Sequence, residues 1–560
     1  MESTDKEVCN ILADVAVAHG VRSVVISPGS RNAPLIVALA RRAEIRKYVI
    51  VDERSAAFAA LGMSQQLGEP VMLVCTSGTA VLNYAPAIAE AYYQKLPLIV
   101  VSADRPKEWI DQDDSQTIRQ FEVLSQFVKK SYDIPARCDD DTARWYANRI
   151  VNDAMIEALS GRRAPVHINV QLDEPLARLS EYAGSQRIIE TVLPSQSLSD
   201  DDMNALLDEA GNKNILVIAG FGGKDSELEY GLDKLASLPN VAVLTETIAN
   251  LHSDKFIKAV DRTLLAMERG TEDSYKPDLL ITVGGAIVSR IVKTFLRKHK
   301  ATRQWYVGVS ETTVDCMQTL TKRIHVEPGA FFRQFADLYV SKATGSNYAE
   351  KWYALADRGK LRHCRYLDSA GWSDLKAFSK IIPSLPDSCR VQLSNGTTIR
   401  YAQLFGDLFR QESFCNRGVS GIDGSTSTAL GASLAYDGTT VLITGDMSFS
   451  YDLSGLASQY NSPRLKIIVM CNGGGGIFRF IKSTSVLPEL ERYFEVGRAI
   501  PVDKYAGAFG FKYFEACSED ELGCVLPEFW SYEEKAAVLA VKTDNVRSAE
   551  TLRNYFRREK

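Results

Sequence analysis

The 560-residue chain lacks the marks of several large protein classes. Its ten cysteines contain no CxxC pair, and its six histidines (His19, His167, His252, His299, His325, His363) are dispersed. Neither a zinc site nor a disulfide framework is expected, and thiols such as Cys75 and Cys389 read as reduced and buried, as in a cytoplasmic enzyme. The missing His/Cys cluster also argues against metal hydrolysis and histidine-based acyl transfer. No stretch approaches ~18 uninterrupted apolar residues, so no membrane span is expected. The formal charge is only -5, which makes no case for nucleic acid or a membrane surface. The opening residues MESTDKEVCNILADV are acidic and read as a capped amphipathic helix rather than a signal peptide.

What is present is an ordinary globular composition, 45% hydrophobic and 24% charged, long enough for roughly three or four domains. Apolar strands alternate with helical patterns throughout, and that predicts an α/β protein of doubly wound parallel sheets. The expected domains are residues 1–180, 195–345 and 375–560. The region 348–379 between the last two reads as a helical linker. In the first domain, four strands each end in a polar or glycine loop: SPGSR at Ser27–Arg31, DERS at Asp52–Ser55, TSGTA at Thr76–Ala80 and ADRP at Ala103–Pro106. In the middle domain Gly220–Gly223 lacks the full dinucleotide fingerprint and a ribose acid, so a spacer domain is the better reading. The first and third domains match in size and pattern, as duplicated modules would.

The richest stretch is Val441–Phe478. A buried strand at Val441–Thr444 ends in Gly445-Asp446, a helical pattern follows with Leu453, Leu456, Ala457 and Tyr460 on one face, and a second strand at Ile467–Met470 ends in Cys471-Asn472 and four glycines. Parallel strands joined by a helix end at the same sheet edge, where α/β sheets bind ligands. Asp446 and Asn472 are therefore expected to meet there, as oxygen donors of the kind Mg²⁺ takes beside phosphate. The glycines would let the backbone approach a diphosphate.

A strand-terminal Gly-Asp followed one unit later by Asn-Gly resembles the metal–diphosphate motif of thiamine-diphosphate enzymes. The strings SPGSRNAPL, DERSAAFAALG, TSGTAVLNYAPA, SADRP, SQTIRQ, NRGVSGIDG and TGDMSFSYDL narrow the resemblance to the menaquinone-pathway synthases of that superfamily. The resemblance implies thiamine diphosphate with Mg²⁺ (or Mn²⁺), decarboxylation of 2-oxoglutarate, and 1,4-addition of the succinyl unit to isochorismate. It implies Glu53 as the catalytic acid at the cofactor's pyrimidine and Asp446, Asn472 and the Gly474 carbonyl as metal ligands. Thr76, Ser77, Gly78, Ile422, Gly445, Met447, Ser448, Gly475 and Ile477 complete the cofactor site, with Ile422 as the apolar wedge. Ser30, Arg31, Arg105, Gln116 and Arg290 are expected on the isochorismate side, Arg400 and Arg417 on the succinyl carboxylate, and Phe478 and Ile481 on an apolar wall beside Ile477. Both substrates are multiply anionic, and Arg clamps carboxylates bidentately.

The resemblance further implies a homodimer or homotetramer in which Glu53 and Asp446 of one site come from different chains. Four positions depart from the family pattern: Ser289 where a Lys can stand, Gly396 where a Ser is common, and Met447 and Cys471 in the cofactor motif. The alternatives are another thiamine-diphosphate decarboxylase, an acetolactate-synthase-like carboligase, and a non-catalytic protein on the same fold. The last would be marked by loss of Glu53 or Asp446, and both are present.

Overall fold

The computed structural model describes residues 1–192, 197–342, 345–495 and 499–557. The chain forms two compact units. One comprises Met1–Leu193, Gly418–Asp437 and Tyr451–Leu465; the other comprises Pro194–Arg417, Gly438–Ser450 and Lys466–Lys560. The expected domain boundary at residue 195 lies outside the described residues.

In the first unit a short antiparallel pair, β1 (Glu2–Thr4) and β8 (Leu179–Glu181), accompanies a six-stranded parallel sheet. The sheet contains β2 (Ser23–Ile26), β3 (Arg46–Val49), β4 (Val71–Cys75), β5 (Leu98–Asp104), β6 (Ser131–Ile134) and β7 (Val166–Gln171), in the order β3-β2-β4-β5-β7-β6. Strands β2, β4, β5 and β7 are buried along their whole length. That is why they read as continuous apolar runs rather than alternating ones. One face is covered by the helices Glu7–Ala18, Ala33–Ala40 and Asp141–Leu159; the other is covered by Glu53–Leu67 and Ala85–Gln94.

The helix Ser425–Ala435 packs onto Glu53–Leu67 at backbone distance. A methyl group on Gly431 would lie 1.9 Å from the Ala59 carbonyl oxygen, and one on Gly62 would lie 2.0 Å from that of Thr428. These are the small residues that mark the two helices in the sequence.

The second unit holds two parallel sheets. The middle sheet runs β10-β9-β11-β12-β13, with β9 (Ile215–Ala219), β10 (Val241–Thr245), β11 (Leu279–Val283), β12 (Arg303–Val307) and β13 (Lys322–Ile324). The last sheet runs β15-β14-β16-β17-β19-β18, with β14 (Arg390–Leu393), β15 (Ser413–Cys415), β16 (Thr440–Gly445), β17 (Leu465–Cys471), β18 (Lys512–Ala516) and β19 (Ala537–Lys542). Counted within their own sheets, the first and last both read 2-1-3-4-6-5, the duplication anticipated from the sequence. In each, the crossovers change direction between the first and third strands, which opens the crevice where such sheets bind ligands.

Two details differ from expectation. The pattern after Asp446 is not one helix but Asp446–Tyr451 followed by a 3-10 turn at Leu453–Ala457, and the break divides it between the two units. The helical linker is two helices, Tyr348–Ser369 and Asp374–Ser384. The Gly220–Gly223 loop packs against Gly284-Gly285: a Cβ on Gly220 would lie 2.4 Å from the Gly285 carbonyl oxygen. That contact accounts for Gly220, whereas a Cβ on Gly223 would meet nothing within 4 Å. Among the described residues no helix is long and apolar enough to cross a membrane.

Candidate functional site

In the second unit the loops after β14, β16 and β17 converge. Gly445, at the end of β16, donates its N–H to Ser394 Oγ beyond β14 at 3.3 Å. Asp446 is 4% exposed, and its two carboxylate oxygens accept from the N–H groups of Met447 (2.8 Å) and Gly473 (3.0 Å). Burial pushes its carboxyl up to about 6 against the pull of those amides. Asn472 Oδ1 accepts from Gly474 N–H at 3.3 Å, and its Nδ2 donates to Asp374 at 2.9 Å. Gly473, Gly474 and Gly475 have φ of +92°, +96° and +68°, a left-handed run that side chains rarely adopt, so the glycine string is a backbone requirement. The Gly474 carbonyl accepts from Asn545 Nδ2 at 3.1 Å.

This donor set fits a divalent cation held beside a diphosphate. Among the described residues no group of three or more His, Cys, Asp or Glu could hold a metal. Asp446, Asn472 and a backbone carbonyl instead supply the oxygens Mg²⁺ takes when phosphate fills the remaining positions. Burial raises both Asp446 and Asp374, and the nearby Asp374 adds to the cost of ionising Asp446. Ser448 is buried, while Met447, Ile477, Phe478 and Ile481 are half-buried, with the ring of Phe478 5.5 Å from that of Phe494.

Three of the expected arginines cluster in the same unit. Arg400 and Arg290 line a cavity of about 460 Å³ with Asp261, Leu265, Ile291, Phe480 and Phe556. Burial, followed by Arg417, lowers Arg400 from its ordinary value, with Arg290 adding to the effect. The Nε atoms of Arg400 and Arg417 are buried without a hydrogen-bond partner among the described residues. Arg417 donates to Asn395 Oδ1 at 3.0 Å through its other end.

The departure at Ser289 has a structural reason. Its hydroxyl caps the helix Arg290–Lys298, accepting from Val292 N–H at 3.0 Å and donating to Asp261. Glu246, which sequence reasoning missed, accepts from the Val288 and Ser289 amides at 2.6 and 2.7 Å and so holds the loop that carries Arg290. Burial raises Glu246 to about 7. Gly396 has φ +97°, which accounts for a glycine where the family can carry Ser.

The first unit carries the other group. Asp52 caps the helix Glu53–Leu67 through Ser55 N–H, and that sets Glu53 in its first turn, half-buried. Burial raises the Glu53 carboxyl, and the hydrogen bond opposing the shift comes from its own backbone. The loops after β2, β4 and β5 meet: a Cβ on Gly29 would lie 2.4 Å from that of Thr76, and Gln116 Nε2 donates to the Ser77 carbonyl at 3.1 Å. Gly78 N–H donates to the buried Gln120 at 2.8 Å. Arg31 is 5% exposed, pairs with Glu174 at 3.1 Å, and is lowered by burial and then by Arg105. Arg105 pairs with Asp114 at 3.0 Å, and Ser30 is exposed beside Arg31.

Ile422, expected as a wedge, is 41% exposed on a loop clasped by Glu90. The Glu90 carboxylate takes the N–H groups of Gly418 (2.6 Å) and Val419 (2.7 Å). Asp452 likewise holds Ser427 through its amide and hydroxyl at 2.7 and 2.8 Å. Glu90 stands outside the quoted strings and Asp452 near the end of TGDMSFSYDL; both bind groups at a distance along the chain that no local pattern reveals. All ten cysteines are free thiols.

Comparison with known proteins finds relatives along nearly the whole chain. Residues 6–123 match the family model described as thiamine pyrophosphate enzyme, N-terminal TPP binding domain. The chain is 42% identical over 562 residues to the 2-succinyl-5-enolpyruvyl-6-hydroxy-3-cyclohexene-1-carboxylate synthase of Porphyromonas gingivalis, covering 99% of this chain and 97% of that one. It is 37% identical to the enzyme of the same name from Flavobacterium johnsoniae, covering 98% of both chains. To that of Phocaeicola vulgatus it is 35% identical, again over 98% of both.

Proposed function

The chain belongs to the 2-succinyl-5-enolpyruvyl-6-hydroxy-3-cyclohexene-1-carboxylate synthase family of thiamine-diphosphate enzymes, and from that premise we propose that it decarboxylates 2-oxoglutarate and adds the succinyl unit to isochorismate, in menaquinone biosynthesis. The observation that carries this reading is the guanidinium cluster of Arg290, Arg400 and Arg417 beside the metal cradle's own sheet. Arg290 is exposed, while Arg400 and Arg417 are half-buried with their Nε atoms buried and unpartnered among the described residues, and such an N–H is costly unless an acceptor completes it. A dicarboxylate is such an acceptor.

Bound thiamine diphosphate supplies the electron sink for loss of carbon dioxide. The protein's work is binding, orientation and proton handling. Asp446, Asn472 and the Gly474 carbonyl would hold Mg²⁺ (or Mn²⁺) against the diphosphate. Gly445, Met447, Ser448, Gly475 and Ile477 would line the cofactor, with Ile422 as its apolar support and Thr76, Ser77 and Gly78 near the pyrimidine. Glu53, shifted toward its protonated form by burial, would hold and return the pyrimidine's proton, the role a carboxyl tuned upward can perform near neutral pH. Arg400 and Arg417 would take the distal carboxylate of 2-oxoglutarate. Ser30, Arg31, Arg105, Gln116 and Arg290 would take isochorismate, and Phe478 and Ile481 would keep water from the reacting carbons. Holding both anions in one geometry converts the bond-forming step into a nearly unimolecular one.

A second copy of the chain would complete each site, in a homodimer or a pair of dimers. Val51, two residues before Glu53, is 75% exposed, and Tyr451, under Arg54 at 5.0 Å, is 52% exposed. Such apolar groups beside a candidate catalytic acid are what an intersubunit site would cover. The test is a reaction containing purified protein, thiamine diphosphate, Mg²⁺, 2-oxoglutarate and isochorismate. Carbon dioxide release should require both substrates and be lost in Glu53→Gln while cofactor binding persists. Release with 2-oxoglutarate alone, or an active Glu53→Gln enzyme, refutes the assignment.

A further inference from the structure

An asparagine side chain ends in two atoms of nearly equal size and opposite hydrogen-bonding sense, and only its oxygen can ligate a cation. At Asn472 the choice is made by a residue from another part of the chain. Its Nδ2 donates to Asp374 Oδ2 at 2.9 Å, across a separation of 98 residues. A carboxylate only accepts, so this bond assigns the nitrogen to the Asp374 side and leaves Oδ1 facing the Gly474 amide and the Asp446 cradle.

Asp374 is itself tightly held. It is 2% exposed and opens the helix Asp374–Ser384. The Thr543 hydroxyl donates to its other carboxylate oxygen, and its backbone N–H donates to Ser548 Oγ at 3.0 Å. Thr543 N–H donates in turn to the Cys471 carbonyl at 3.1 Å, tying this network to the end of β17. Gly476 also closes on this amide, because a Cβ there would lie 3.1 Å from Asn472 Nδ2.

We infer that Asp374 is a positioning residue for the divalent-cation site, orienting Asn472 so that its oxygen faces the cation and setting a second buried negative charge behind that ligand. Metal-ligating side chains are commonly fixed this way by an outer partner, whose removal costs roughly 10–100-fold in metal affinity. The inference rests on the reading of Asp446, Asn472 and Gly474 as the metal cradle.

The experiment measures the Mg²⁺ concentration that half-saturates thiamine-diphosphate uptake by the full-length protein, read by isothermal titration calorimetry, alongside the melting temperature of the metal-free protein. Asp374→Asn should raise the half-saturating Mg²⁺ concentration roughly 10–100-fold. Asn472→Asp should also weaken binding, because it sets two carboxylates face to face. The double variant, with Asn at 374 and Asp at 472, restores a donor facing an acceptor and should return to within roughly threefold of the starting protein.

A purely structural Asp374 would instead lower the metal-free melting temperature and leave the Mg²⁺ dependence of the folded fraction unchanged, and that overturns the inference. So does a double variant whose losses simply add. If Asp374→Asn does not fold, the comparison of Asn472→Asp with the double variant reads the same pairing. A starting protein that shows no Mg²⁺-dependent cofactor uptake refutes the cradle assignment itself, a different failure.

Discussion

Replacing Gly431 by alanine sets two effects of opposite sign against each other. In an isolated helix the change stabilises by about 1 kcal/mol, because glycine carries the larger entropic cost. In this protein the new methyl carbon would lie 1.9 Å from the Ala59 carbonyl oxygen, 2.6 Å from its carbon and 2.7 Å from its Cα. Ordinary contact is near 3.5 Å, so the helices Ser425–Ala435 and Glu53–Leu67 would have to separate by about 1.5 Å. The obstructing atoms are backbone, so no rotamer change relieves them. Overpacking of this kind costs about 1–3 kcal/mol or more, and the fully buried Leu430 beside it would lose contacts as well. The net expectation is a loss of about 2 kcal/mol, read by urea unfolding of the cofactor-free protein. Gly523 in the helix Glu519–Ser531 provides the control, since a Cβ there meets nothing within 4 Å. Gly523→Ala should gain up to about 1 kcal/mol. A Gly431→Ala protein as stable as the original would refute the close-packed helix pair.

Arg400→Met should raise KM for 2-oxoglutarate by roughly 10–100-fold, the worth of a charged hydrogen bond, with little change in cofactor affinity measured by calorimetry. Glu246, raised to about 7 in the fold, is destabilising once ionised: the native state holds its proton more tightly than the unfolded chain, so stability falls as pH rises from about 4.5 toward 7. Glu246→Gln does not titrate, so its stability relative to the original protein should move in its favour by up to about 3 kcal/mol between pH 5 and pH 8, measured by urea unfolding at each pH. Gly396→Ser, which restores a residue common in the family, should cost about 1–2 kcal/mol because its φ is +97°, and a lower melting temperature would show it.

The buried strands were legible because full burial on both faces writes continuous apolar runs; β2, β4, β5, β16 and β17 all stand within a few residues of their expected bounds. The strands β6 (SYDI), β13 (KRI) and β18 (KYFEA) were not, because each lies at or next to the sheet edge and carries polar residues. Candidate residues that stand in a motif, such as Glu53, Asp446 and Asn472, could be proposed from the chain alone. Glu90, Glu246, Asp374 and Asp452 could not. Each accepts hydrogen bonds from groups 25 to 329 residues away, and a carboxylate in a helix or loop gives no sign in the sequence of such distant partners.

The first unit takes in two segments from far along the chain, and this bears on how the protein is made. Glu90 waits for amides 328 and 329 residues later, and the buried face around Phe58, Ala59 and Gly62 is covered only when Ser425–Ala435 arrives. At synthesis rates of roughly 5–20 residues per second, the amino-terminal sheet, complete at Gln171, stands without the helix ending at Ala435 for about 13–53 seconds on the ribosome. Contacts this distant in sequence also slow folding. A fragment ending near residue 192 should therefore aggregate rather than fold as a free-standing domain, and expression of the whole chain should depend on chaperones that shield this face until the later segments emerge.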